Sequence, residues 1–383
     1  MSMILTLNAG SSSIKFGLYQ RADDPTLMAV GQVENLGPEA RLILKDADGA
    51  KTSAQIGQAD HLGALRAVLK ALQPHLNGQP VDGIGHRIVH GGPDFGAPAP
   101  LTAPVLQQLR GLIPLAPLHQ PHNLAVVDAA ADVFPKALQV GCFDTAFHRG
   151  RAFEHDAFAL PRAFYDQGIR RYGFHGLSYD YIASCLRRDH PDLAQGRVVV
   201  AHLGNGASMC AMQDGRSVAT TMGFSALEGL VMGTRSGQLD AGVLLYWLDQ
   251  GKSAADISRI LYKESGLLGL SGLSHDMRTL LDSDAPQAAQ AVRFYVTRLQ
   301  RELGAMTAAL GGIDALVFCG GVGENAAPIR AAAVQTMGYL GLTLDAQANA
   351  SGGPEIGTGP TRILVIPTDE EQVIARAVAR HLP

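Results

Sequence analysis

The chain opens on a short apolar run, ILTL, that breaks into Asn8, Gly10 and three serines before a second run, IKFGLY, takes over. Similar short, largely apolar runs bounded by small or polar residues return as GIGHRIV, LQVGCF, RVVVAHL, SMCAM, ALVFCG and RILVIP. Each predicts a strand. Between them the period lengthens. In HLGALRAVLKALQ the positions Leu62, Leu65, Val68, Leu69 and Leu72 fall on one face of a helix. AQAVRFYVTRLQRELGAMTAAL carries a longer stripe of Val292, Tyr295, Val296, Leu299, Leu303, Met306 and Leu310. A last helix, EEQVIARAVARHL, is predicted just after Thr368 and Asp369, both good N-cap types. Strands alternating with helices define an α/β protein.

Two stretches share one grammar. ILTLNAGSSSIKFGL and VVVAHLGNGASMCAM each read strand, a break rich in small polar residues, strand. Copies near the start and the middle suggest a duplication into two α/β lobes; two unrelated hairpins would share the same pattern. The boundary is expected near FHRGRAFEHDAFAL, where charge and aromatics interrupt the alternation. The first lobe then covers residues 1–147 with the C-terminal helix, 372–383, and the second covers 148–371.

Composition narrows the class. A chain of 383 residues with 46% hydrophobic and 17% charged positions suits about two to three domains with large cores. Net charge is -4 and no Lys/Arg-rich run occurs, so nucleic acid and anionic membranes have no electrostatic footprint. The first residues lack a basic region, and no apolar segment approaches the ~20 residues of a membrane span, so neither a signal peptide nor an anchor is expected. Cys142, Cys185, Cys210 and Cys319 are scattered without a C-x-x-C pair. That argues against zinc or a disulfide framework, fits a reducing cytoplasm, and reads each as a small buried side chain.

Glycine-rich breaks carry the first hint of chemistry. Backbone N–H groups approach a phosphate closely only where side chains are small. In NAGSSS the hydroxyls add donors, Asn8 adds an amide oxygen suited to Mg²⁺ or its waters, and Lys15 adds a positive charge. A plain hairpin turn would have the same composition. Two further breaks, HLGNGAS (His202 to Ser208) and CGGVGEN (Cys319 to Asn325), also follow apolar strands, where α/β folds keep ligand loops. Together they suggest a nucleotide held between two lobes. YWLDQGKS lacks the first glycine of a P-loop, and no G-x-G-x-x-G follows a predicted strand.

The costly polar residues follow. GHRIVHGG sets Arg87 between His86 and His90 in a β-like stretch, PLHQPHN carries His119 and His122, and CFDTAFH ends a strand on Asp144. RRYGFHGLSYDY holds Arg170, Arg171 and His175, and GLVMGTRSGQLD holds Arg235. An arginine among glycines and apolar residues wants an anion, because its planar fork matches carboxylate and phosphate oxygens. His86, His90 and His122 read as structural core groups, and Arg170 and Arg171 read equally well as surface charges. Arg87, Arg235, Asp144 and His175 are the stronger candidates, each expected in a small, glycine-marked turn after apolar sequence.

In order along the chain, LNAGSSSIKF, GHRIVHGG, LAPLHQP, FDTAFH, YGFHG, HLGNGAS, EGLVMGTRSG, SGLLGLSG, GGVGEN and PTDEE resemble the acetate kinases of the acetokinase family. The resemblance covers essentially the whole chain. It implies the fold group of sugar kinases, actin and heat-shock ATPases: two duplicated actin-like, ribonuclease H-like lobes with a nucleotide cleft between them. It implies ATP and ADP as co-substrates, Mg²⁺ with Mn²⁺ as an alternative ion, and a cytoplasmic homodimer. The first lobe would be the acyl and metal side, the second the nucleotide and dimer side. Asn8 and Glu370 would hold the metal, and Lys15 would lie by the phosphates. His202, Leu203, Gly204, Asn205 and Gly206 would form a phosphate loop. Asp276, Met277 and Arg278 would meet the adenosine, and Gly321, Val322, Gly323, Glu324 and Asn325 would close over the nucleotide. Arg87 would bind the substrate carboxylate in a pocket with Val89, Leu118, His119, Phe174 and Ala226. Asp144 would be catalytic, with His175 and Arg235 stabilising the transition state.

A carboxylate acceptor with a pKa of about 4 needs no general base at neutral pH, so Asp144 reads as orienting an arginine or the metal's water shell. The chain also departs from the family pattern. T-S-H after YGFHG is replaced by Leu177, Ser178 and Tyr179, an acidic residue after TRSG by Gln238, a later proline by Ala241, and a proline before LEGL by Ala226. Propionate or butyrate kinases are the near alternative. An ATP-driven clamp is the distant one, disfavoured by GHRIVHGG and MGTRSG.

Overall fold

The computed structural model describes residues 2–10 and 12–383; Ser11, in the first glycine–serine turn, lies outside them. The chain divides into two compact units, Met1–Phe147 with Asp369–Pro383, and His148–Thr368.

The first unit is built on an eight-stranded sheet. Its strands are β1 (Met3–Ala9), β2 (Ile14–Gln20), β3 (Thr26–Glu34), β4 (Gly37–Asp46), β5 (Lys51–Ala59), β6 (Val81–Ile88), β7 (Ala99–Pro100) and β8 (Leu138–Phe143). Their order is β5-β4-β3-β2-β1-β6-β8-β7. β1 to β5 form an antiparallel meander, while β6 runs parallel to β1 and β8 parallel to β6. Leu5, Leu7, Phe16 and Leu18 pack with Leu65, Val68 and Leu72 of the helix His61–Leu76. β3, β4, β5 and β7 were not among the strands expected from the sequence. Lys51 to Gln55 of β5 are exposed, so the outer edge of the sheet lacks the apolar run by which a buried strand announces itself.

On the sheet's other face, glycine alternates within β6 for a packing reason. A Cβ on Gly83 would lie 2.4 Å from Val378 Cγ1, and one on Gly85 would lie 2.2 Å from Ile374 Cγ2. The helix Glu370–His381 therefore rests directly on the strand, its N-terminus capped by Asp369, which accepts from Gln372 N. Arg87 follows at the same period-two spacing and so meets the start of that helix.

The second unit carries a five-stranded sheet, order β11-β10-β9-β12-β13. These strands are β9 (Arg197–Leu203), β10 (Ala207–Gln213), β11 (Arg216–Thr220), β12 (Ala315–Cys319) and β13 (Arg362–Val365). Three antiparallel strands are followed by two parallel ones, the order that β3-β2-β1-β6-β8 has in the first unit. The repeat seen in the sequence is thus a repeat of topology. The long helix spans Pro286–Leu310, with Tyr295, Leu299, Leu303 and Met306 buried and Gly311 closing it at φ 66°. CGGVGEN is not an open turn: Gly320–Asn325 form a short helix after β12. Gly320 turns the chain at φ +75°, where a Cβ would lie 2.7 Å from the Leu203 carbonyl oxygen.

The four cysteines are buried thiols. Arg170 and Arg171 are not bare surface charges: Arg171 pairs with Glu228 at 3.0 Å and Arg170 lies 4.2 Å above the Tyr165 ring. Among the described residues no helix is long and apolar enough to cross a membrane.

Buried histidines give the fold a pH dependence. Burial pushes His86 down to about 4 against an opposing Gln139 hydrogen bond, His90 to about 4, and His148 to about 3 with Arg151 adding to the effect. In the unfolded chain each returns to about 6.5. Below that value the unfolded chain binds protons that the folded chain does not, so the stability present above about pH 6.5 is lost towards pH 4. The expected loss at pH 5 is of the order of 2 kcal/mol for each histidine. Urea denaturation at pH 7.5 and pH 5 checks it, with the lower midpoint expected at pH 5.

Candidate active site

In the first unit, three parallel strand ends bring their polar residues together. The register pairs Leu7 of β1 with His86 of β6, and Ile88 with Phe143 of β8. Asn8, Arg87 and Asp144 therefore converge at the carboxyl ends of their strands, where open α/β sheets gather ligand groups. Arg87 lies within β6, as the strand reading of GIGHRIV predicts, and not in the glycine-marked turn also expected for it; the parallel neighbours supply what a turn would have supplied. Its Nε donates to Asp144 Oδ1 at 2.9 Å, its Nη2 to Oδ2 at 2.7 Å, and its Nη1 to Asn8 Oδ1 at 3.2 Å. Glu370 Oε2 lies 3.7 Å from Nε. Burial alone would lower the Arg87 pKa, but the charges of Asp144 and Glu370 raise it above its ordinary value. Burial lifts the Asp144 carboxyl, against the pull of the Arg87 fork. Lys15 sits directly across the hairpin from Asn8 and is exposed. Val89 is buried, with its N–H donating to Asn123 Oδ1 at 3.0 Å, whereas Leu118 is 39% exposed and His119 precedes the helix Gln120–Val133.

In the second unit, His175 ends the YGFH segment in the left-handed region, φ 59°, and starts the helix Gly176–Asp189. Its ring stacks on His202 with centroids 4.3 Å apart. A Cβ on Gly206 would lie 3.3 Å from His175 Nε2 and 3.8 Å from Arg235 Nη1. The β9–β10 loop, His175 and Arg235 thus border one spot, and glycine keeps it clear. Arg235 Nη1 donates to the Ala226 carbonyl at 2.9 Å, so the residue replacing a proline helps hold the arginine. Phe174 is buried, and its carbonyl accepts from His148 Nε2 at 2.9 Å.

A cleft of about 510 Å³ in the same unit joins three of the predicted stretches. Gly204 and Asn205 line it from the β9–β10 loop, Asp276, Met277 and Arg278 from SHDMR, and Gly321, Val322 and Asn325 from the short helix. His202, Leu203, Gly206, Gly323 and Glu324 do not line it. Glu324 Oε1 instead accepts from Gly320 N at 2.9 Å and Thr368 N at 3.3 Å. Asp276 caps the helix Met277–Leu281, accepting from Arg278 N and Thr279 N. The Arg278 hydrogen bond holds its carboxyl below the usual range.

Sequence reasoning missed Leu281, Asp282, Ala326 and Pro328 of the same cleft; their only signal was continuity with SHDMR and GGVGEN. It also missed Arg330. That buried guanidinium donates to the Gly323 carbonyl at 2.9 Å and the Glu324 carbonyl at 2.8 Å, pinning the end of the short helix.

A duplicated α/β sheet order with glycine loops at the strand ends defines an actin-like fold. The comparisons agree. The acetokinase family pattern matches residues 3–376. An acetate kinase of Methylocella silvestris is 52% identical, the alignment covering 97% of this chain and 96% of its own. The crystal structure of Porphyromonas gingivalis acetate kinase superposes with a TM-score of 0.90 at 37% identity, covering 100% of both chains. A propionate kinase from Francisella tularensis gives 0.92 at 34%, again over 100% of both. The chain belongs to the acetokinase family, whose members use ATP and ADP as co-substrates.

Proposed function

We propose that the protein catalyses ATP + acetate ⇌ ADP + acetyl phosphate by direct in-line transfer. The reading is carried by the Arg87 guanidinium. A guanidinium has five N–H donors, and Asp144 and Asn8 engage Nε, one Nη2 proton and one Nη1 proton. One donor remains on each terminal nitrogen, open to an anionic oxygen such as those of a carboxylate. The transferring phosphoryl is loose and metaphosphate-like, so positioning and charge stabilisation do most of the work. Arg235 and His175 would stabilise its oxygens, and Asp144 orients Arg87 rather than taking a proton.

The oxygen donors of Asn8 and Glu370, both beside Arg87, fit Mg²⁺ shared with phosphates. Such an ion takes one or two carboxylates and keeps its other positions for waters and phosphate. When bound it would neutralise phosphate charge. Dimerisation is supported by the helix Ala241–Asp249, in which no residue is buried and Leu245, Tyr246 and Leu248 are 64%, 61% and 50% exposed. A second copy of the chain would cover that face. Buried thiols fit a cytoplasmic setting.

The test is to trap acyl phosphate with hydroxylamine while offering ATP-Mg²⁺ and C2 to C4 carboxylates. Acetohydroxamate is expected; no hydroxamate from any acid would favour the clamp. Ala226 bears on chain length, because it is smaller than the usual proline and its carbonyl holds Arg235. One methylene in such a pocket is worth ~1–3 kcal/mol, so preference rather than exclusion is expected. The propionate-to-acetate ratio of kcat/KM should be about tenfold higher in the wild type than in Ala226→Pro. Equal ratios would refute it.

A further inference from the structure

We infer that Tyr179 is a positioning residue for His175, acting through Ser208 to keep the imidazole proton on Nε2; this rests on the phosphoryl-transfer reading above. His175 Nδ1 lies 2.8 Å from Ser208 Oγ, and the Tyr179 hydroxyl hydrogen-bonds the same Oγ. Tyr179 and Ser208 are both 0% exposed. Local structure brings them there. Tyr179 N donates to the His175 carbonyl at 3.1 Å, the first turn of the helix, so both side chains leave one face. Ser208 lies opposite His202 in the β9–β10 pairing, and His202 is the ring on which His175 stacks. At the other end of the imidazole, Nε2 borders the glycine loop.

The proton inventory sets the direction. Burial raises the Tyr179 phenol well above its ordinary value, so it keeps its proton. A phenol is also the stronger donor of two hydroxyls. It donates to Oγ, and the single serine proton then goes to Nδ1. A neutral ring in this arrangement carries its proton on Nε2, the nitrogen that borders the glycine loop, where it can donate to an oxygen of the transferring phosphoryl. Without the phenol, Oγ is at liberty to accept from Nδ1–H. Nε2 would then present a lone pair to an anionic oxygen, which is repulsive. A histidine N–H at this position would offer the same kind of donor.

Three variants test the relay: Tyr179→Phe, Ser208→Ala and Tyr179→His, each followed by steady-state kinetics and by nitrogen NMR of the His175 tautomer. Tyr179→Phe is expected to lower kcat about tenfold, with both KM values within about twofold and the unfolding midpoint little moved. The wild-type ring should carry its proton on Nε2, the Phe variant should shift it towards Nδ1, and Tyr179→His should restore rate and tautomer together. Adding Tyr179→Phe to Ser208→Ala should cost nothing more. Wild-type kcat and an unshifted Nε2 proton in Tyr179→Phe would overturn the relay, as would equal losses in the Phe and His variants. His175→Ala separates the two levels. Full turnover there would sink the phosphoryl-transfer roles, whereas a collapse beside a silent Tyr179→Phe would sink only the role of Tyr179.

Discussion

Arg235→Ala is expected to lower kcat about a thousandfold while leaving the KM for ATP within about threefold. Arg235 borders the β9–β10 loop beside His175 Nε2 and is steadied by the Ala226 carbonyl. A guanidinium so held gains most when charge spreads over the phosphoryl oxygens, so its loss should show in kcat rather than in ground-state binding. Arg235→Lys should recover little, because a point charge does not reproduce the fork. A threefold change in kcat with a large rise in KM would mean that Arg235 binds ground-state ligand instead.

Arg87→Ala should be the other severe change, and it should damage stability as well. The kcat/KM for acetate is expected to fall about a thousandfold, chiefly through KM for acetate. The variant also strands Asp144, whose side chain is 2% exposed. Removing one partner of a buried pair costs about 3 kcal/mol or more. Asp144 already sits high because of burial, and without the arginine it rises further. An acid whose folded pKa exceeds its unfolded value loses stability as pH climbs from about 4 through the folded value. Arg87→Ala should therefore be less stable at pH 8 than at pH 5, relative to wild type, and Asp144→Asn added to it should recover stability. Asp144→Asn alone should slow turnover without a new acidic limb near neutrality, since the acceptor is already ionised.

How much of this was legible follows from where each contact's partners lie. Arg87 and Asp144 could be singled out because each is a charge at the end of an apolar run. Their pairing could not, since it depends on β6 and β8 lying side by side in one register. The duplicated hairpins were visible because small polar residues interrupt otherwise apolar strands. β3 to β5 were not, because strands with a wetted face and an exposed edge carry polar residues that read as loop. GGVGEN was read as a turn from its glycines; Arg330 and Glu324 make it a helix, through bonds that composition does not encode. Tyr179 was noticed only as a departure, because Ser208 is 29 residues away on β10.

The central claim is that a small acid anion held by the Arg87 guanidinium would lie in line with the last phosphorus of ATP, with Arg235 and His175 stabilising the oxygens of the phosphoryl group in transfer. A crystal structure with Mg²⁺, ADP, aluminium fluoride and acetate tests it most directly. The account predicts the fluoride complex between the β-phosphate and an acetate oxygen, with Arg87 on the carboxylate and Arg235 and His175 on the fluorides. Fluoride bonded to a protein side chain, or the two arginines on surfaces that share no crevice, would contradict it.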